Sequence, residues 1–92
     1  MIIRILGEGQ FTVDDAHITV LNDLDDQLVL AVDADDAVGF ALTLRKLLAA
    51  VGELGAAVPA EALLPSDLVL PAADTPLADV RALLRSDGLI PG

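Results

Sequence analysis

The chain has 92 residues, 54% of them apolar, and a formal net charge of −10 from fifteen acids against five bases. That length sustains one modest core and no separate catalytic and regulatory modules, while the apolar share excludes a disordered chain. The absence of cysteine excludes disulfides, thiolate nucleophiles and cysteine zinc sites, and Phe11 and Phe40 as the only aromatics leave no stacking platform for single-stranded nucleic acid.

The opening run Ile2, Ile3, Ile5, Leu6 is interrupted by Arg4, so it falls short of the roughly seven apolar residues of a signal-peptide core. No window approaches the roughly twenty apolar residues of a membrane span. The expectation is a protein of the reducing cytoplasm without membrane insertion of its own.

Residues 2–6 and 10–13 are β-rich runs around Gly7-Glu8-Gly9, which predicts a hairpin. From a cap at Asp14 or Asp15, the residues Ile18, Leu21, Leu24, Leu28, Ala31 and Val32 recur at helical spacing and predict a helix to about Asp33. A second helix starts after Asp35 or Asp36, with Ala37, Phe40, Ala41, Leu44, Leu47, Leu48 and Val51 on one face and Gly52 and Gly55 at its end. The short link predicts an antiparallel pair, with Asp25 opposite Arg45. Asp25 falls inside the apolar stripe, so it needs a partner or a place at the stripe's edge.

Residues 56–67, with Pro59 and Pro65, read as a loop with at most one helical turn. Leu68 to Leu70, bounded by Asp67 and Pro71, predict a short buried strand. Thr75-Pro76 starts a third helix, with Leu77, Val80, Leu83 and Leu84 inward and Asp87-Gly88 at its stop. The tail Leu89 to Gly92 is suited to docking on the sheet. The expected fold is α+β in the order ββααβα, a single domain over 1–92 with a small sheet covered by helices.

Charge is not spread evenly. Between Arg4 and Arg45 no base occurs, while Glu8, Asp14, Asp15, Asp23, Asp25, Asp26, Asp33, Asp35 and Asp36 lie in that interval. Such a field repels DNA and anionic lipid and attracts basic partners.

Candidate chemistry is sparse. A calcium loop starting at Asp23 meets Leu28 at the sixth position and Ala34 at the twelfth, and one starting at Asp33 meets Val38 and Leu44, where glycine and glutamate are needed. These acids therefore read as a solvated helix face and helix caps. His17 is the lone histidine, and nothing aims Ser66 or Ser86 at it, so it reads as a packed or helix-start residue. Gly7-Glu8-Gly9 lacks a following helix and a third glycine, so it reads as a turn and not as a phosphate loop. No catalytic, cofactor or metal residue is assigned.

Aliphatic residues on the wrong side of the helices are the stronger signal. Leu30 projects opposite the first helix's stripe, among Asp23, Asp26 and Asp33, and Val38 and Leu42 project away from the Phe40 and Leu44 face. Either the chain's own residues 59–70 cover these positions, or they are the apolar centre of a protein-binding surface rimmed by acids.

Three stretches resemble a known family: Met1-Ile2-Ile3-Arg4-Ile5-Leu6-Gly7-Glu8-Gly9-Gln10-Phe11, Leu64-Pro65-Ser66-Asp67-Leu68-Val69-Leu70-Pro71 and Asp87-Gly88-Leu89-Ile90-Pro91-Gly92. In this order they are similar to the PspA-associated domain, PspAA. The resemblance implies a non-enzymatic accessory protein of a phage-shock-type envelope stress response. Its implied partner is PspA, a coiled-coil protein that binds and remodels membranes, with a second small PspA-associated protein or a membrane metallopeptidase as further implied neighbours.

The expectation is therefore an adaptor that binds a helical or coiled-coil partner through Asp23, Asp26, Leu30, Asp33, Val38 and Leu42 and modulates its assembly or membrane engagement. One alternative is an acidic inhibitor or nucleic-acid mimic in a basic groove. Another is a small-ligand sensor using Glu8, His17 or Ser66. A homodimer is open through an apolar face or a strand edge.

Overall fold

The computed structural model of the chain describes residues 1–62 and 64–83. Strands β1 (Ile2–Ile5) and β2 (Gly9–Val13) form the expected hairpin, with Ile3 opposite Phe11 and Arg4 opposite Gln10. Gly7, at φ 86°, lets the amide of Glu8 return to the carbonyl oxygen of Ile5 at 2.9 Å, and Gly9, at φ 112°, opens β2.

A 3₁₀ turn over Asp15–His17, capped by the Asp14 carboxylate on the amide of Ala16, leads into α1 (Ile18–Asp33). Helix α2 (Ala37–Leu54) follows a three-residue link and folds back on α1. The link closes the end of α1 with paired backbone bonds, from Asp36 to the Ala31 carbonyl and from Asp35 to that of Val32. This arrangement usually takes glycine at the left-handed position; here Asp35 holds it at φ 55°. Asp36 then caps α2, its Oδ1 accepting from the amide of Gly39 at 3.0 Å.

The one element missing from the expected order is a strand. Gly55–Ala57 forms β3 on the free side of β2, and only Ala60–Ala62 of the following stretch makes a 3₁₀ turn. Glycine and alanine carry little β signal, and the strand exists because β2 supplies hydrogen-bond partners along its open edge. Strand β4 (Leu68–Leu70) pairs parallel to β1, giving the sheet order β3-β2-β1-β4, and α3 (Leu77–Leu83) follows.

The helices lie on one face of this sheet. Ile3, Ile5, Val13 and Leu70 join Leu21, Leu28, Val32, Phe40, Leu44, Leu47, Leu48, Val51 and Val80 in a single aliphatic core. Ile18, Leu24 and Ala31 are half-buried beside it. Ala37 is exposed instead of inward, at an open groove beside the turn leading into α3. Asp25 is buried at 1% exposure and is engaged with a partner, as a desolvated carboxylate requires, whereas Arg45 is exposed. The side chain of Leu83, the positions Leu84, Asp87 and Gly88, and the tail Leu89 to Gly92 lie outside the described residues.

Alternation sends Ile2, Arg4, Gln10, Thr12, Ala56 and Val69 to the sheet face opposite the helices. Gln10 is nevertheless buried, because residues 64–66 cross over it: its Nε2 donates to the carbonyl oxygen of Leu64 at 2.6 Å and to Ser66 Oγ at 2.8 Å.

Candidate functional site

The helix hairpin presents the residues that the sequence singles out. Leu30 is 68% exposed, Val38 72% and Leu42 53%, so residues 59–70 do not cover them. Residues 64–66 of that segment lie across the sheet's far side, where the Gln10 hydrogen bonds hold them, and Leu68–Leu70 joins the sheet itself. Helical periodicity explains the exposure: Leu30 sits midway between the buried Leu28 and Val32, and Leu42 midway between the buried Phe40 and Leu44.

Asp23, Asp26 and Asp33 are all exposed on α1, so acids flank Leu30 as the projection requires. Around Val38 and Leu42 the charge is more mixed. Asp36 precedes them, but Arg45 and Lys46 are also exposed one turn beyond Leu42. The acidic character is therefore concentrated on α1 and on the link between the helices. Beside this face runs an open groove between α2 and the turn leading into α3, lined by Ala37, Phe40, Ala41, Arg45, Thr75 and Leu77. Its small alanines leave room for an incoming side chain next to Val38 and Leu42.

The link is also fastened from below. Arg81 on α3 donates to the Val32 carbonyl oxygen at 2.8 Å and to Asp35 Oδ1 at 3.0 Å. It adds a second donor to a carbonyl that already accepts from the Asp35 amide and holds the left-handed Asp35 in place, so one of the acids near the apolar face is already partly neutralised.

The chemistry-bearing residues stay apart. His17 ends the 3₁₀ turn at the start of α1, half-buried, with its amide bonded to the Asp14 carbonyl oxygen. Ser66 is spent on Gln10 at the sheet's far side, and Ser86 lies outside the described residues. Glu8 is exposed at the hairpin turn. Among the described residues no group of three or more histidines and acids is arranged to hold a metal ion, and no helix is long and apolar enough to cross a membrane.

The acid-flanked hairpin, the sheet and the three motif stretches run through one continuous sequence, and a family model described as PspA-Associated protein matches residues 1–92, all of it. The chain belongs to the PspAA family. No curated protein and no solved structure matches it. The family description ties PspAA chains to PspA, and the hairpin exposes Leu30, Val38 and Leu42 beside a row of carboxylates.

Two features of this surface escape sequence reasoning. The groove beside Ala37 and Ala41 depends on where the Thr75 turn packs, and alanines carry no local signal for it. The tie from Arg81 to Asp35 joins residues 46 apart in the chain. An acid at the left-handed end of a helix next to a short link is a weak pointer to such a tie.

Proposed function

We propose that this chain is a non-enzymatic accessory protein of a PspA-type envelope stress response. It binds a helical or coiled-coil PspA-type partner through the outer face of its helix hairpin and modulates the partner's assembly or membrane engagement, remaining in the cytoplasm and reaching the membrane through that partner. The observation that carries the reading is the exposure of Leu30, Val38 and Leu42 on a hairpin whose first helix is lined with Asp23, Asp26 and Asp33. Aliphatic anchors supply affinity to an amphipathic helix, while the surrounding carboxylates speed the approach of its basic side and disfavour acidic competitors.

Calorimetric titration of the full chain into purified PspA, repeated from about 0.05 M to about 0.5 M salt, tests this. Salt screens the charges but leaves apolar anchoring in place, so the affinity falls as salt rises yet stays measurable. Leu30→Asp and Leu42→Asp each weaken binding. Affinity indifferent to both substitutions and to salt sinks the proposed surface, and displacement of the partner by duplex DNA transfers support to the reading as an acidic mimic of nucleic acid.

A further inference from the structure

We propose that the sheet face opposite the helices is the contact surface for a second copy of this chain, forming a two-fold dimer through that face. An antiparallel or mixed sheet with helices on one side normally shows water a polar second side. Here that side carries Leu6 at 48% exposure, Val69 at 51% and Leu64 at 42%, with Ile2 half-buried among them. Arg4 stands between these residues, opposite both Gln10 and Val69 in the strand register, and among the described residues is the sole charge at the outward strand positions. Asp67, at the edge, already accepts the Ile2 amide at 2.8 Å.

Charge identifies the occupant. A copy with net charge −10 is repelled from the helix hairpin of another, yet it can approach the sheet face with the acid-bearing helices pointing away on both sides. Residues 64–66 cross this face over Gln10, so the two sheets stand farther apart than the about 10 Å of direct sheet packing, and the helices behind them lie several Debye lengths of about 8 Å apart at physiological salt. The face is also self-complementary. Arg4 and Glu8 flank a recess along Gly9 and Gln10, and neither forms an ion pair among the described residues. In a two-fold pair, Arg4 of each copy enters the recess of the other and meets its Glu8, the reciprocal pattern of an isologous interface. Leu6 and Val69 close around these pairs.

Light scattering on the full chain at about 200 µM, a concentration that populates even a weak complex, reads the outcome. The expected mass is twice the 9.5 kDa of the chain. Val69→Asp and Leu6→Asp return it to a monomer with unchanged circular dichroism, while Leu30→Asp leaves the dimer intact. Arg4→Glu or Glu8→Arg alone weakens the dimer at least about fivefold, and combining them restores it to within about twofold. This last comparison uses exposed positions only, so a folding defect does not blur it. A monomeric wild type, an open-ended series of larger species, a dimer that survives Val69→Asp or falls with Leu30→Asp, or a double charge swap that fails to restore it overturns the proposal. The inference does not depend on the hairpin reading, since the two faces respond to different substitutions.

Discussion

Both sides of this molecule expose large aliphatic side chains, Leu30, Val38 and Leu42 on the helix side at 53–72% and Leu6, Leu64 and Val69 on the sheet side at 42–51%, and their charged surroundings differ. On the helix side, Leu30, Val38 and Leu42 share the outer layer with Asp23, Asp26 and Asp33; on the sheet side, Leu6, Leu64 and Val69 accompany Arg4, with Glu8 at the turn and Asp67 at the edge. Hydrophobic exposure alone marks both as places for contact and says nothing of the occupant. The neighbouring charges make that distinction: a field of carboxylates selects a basic partner, whereas a face where Arg4 stands beside Glu8 is where an acidic molecule tolerates its own copy. A small domain with two such faces can hold a partner on one while being paired through the other.

The comparison breaks most completely where the two sides are joined. Gly55 ends α2 and begins β3 with no loop between them, and a Cβ placed there would lie 2.7 Å from the Val51 carbonyl oxygen and 3.0 Å from that of Thr12. Both obstacles are backbone, so they cannot swing aside. Gly55→Ala is expected to destabilise the fold by about 2 kcal/mol, and to weaken both surfaces together, read as a lower urea midpoint at unchanged slope. Retained stability would mean that the junction is looser than its geometry.

Arg81→Ala probes the helix side alone. It removes the bonds to Val32 and Asp35, and because the arginine is about half exposed the expected loss is about 1 kcal/mol. Hydrogen exchange should rise in the link at residues 34–36 while β1 and β2 stay protected. A comparable cost, about 1 kcal/mol, attends Asp36→Ala through the lost cap on Gly39. Asp35→Gly gives the smallest effect. It relieves a left-handed non-glycine residue but gives up the exposed pair with Arg81, so the net change stays within about 0.5 kcal/mol. All three substitutions leave the sheet face untouched, and any that altered self-association would show that the two faces are coupled.

Much of the helix side is legible in the sequence because periodicity is a local signal. The stripe from Leu21 to Val32 locates the buried face of α1, and its complement locates Leu30. Asp35 or Asp36 at the start and Gly52 and Gly55 at the end bracket α2, whose caps are Asp36 and Gly55. Leu68 to Leu70 is legible as a strand from its flanking Asp67 and Pro71, but its parallel pairing with β1 is not, since nothing local specifies a neighbour 65 residues earlier. β3 is silent because Gly55, Ala56 and Ala57 take their conformation from β2. The sheet side is hidden for the same reason: Leu6 and Val69 read as ordinary strand residues until the register shows which face the helices leave bare. Gln10 looks like a solvent-facing polar residue until Leu64 and Ser66 are seen crossing it.

The central claim is that the helix side holds a PspA-type partner through apolar anchors. Its most direct test is the dissociation constant of purified PspA for the wild-type chain and for Leu42→Asp at one physiological salt concentration. An acid at an exposed position leaves folding stability within about 0.5 kcal/mol, so a change reports on the surface. The account predicts a loss of about 30-fold or more, the scale of removing a central anchor, with Val69→Asp binding like wild type. Equal affinity for wild type and Leu42→Asp would contradict it.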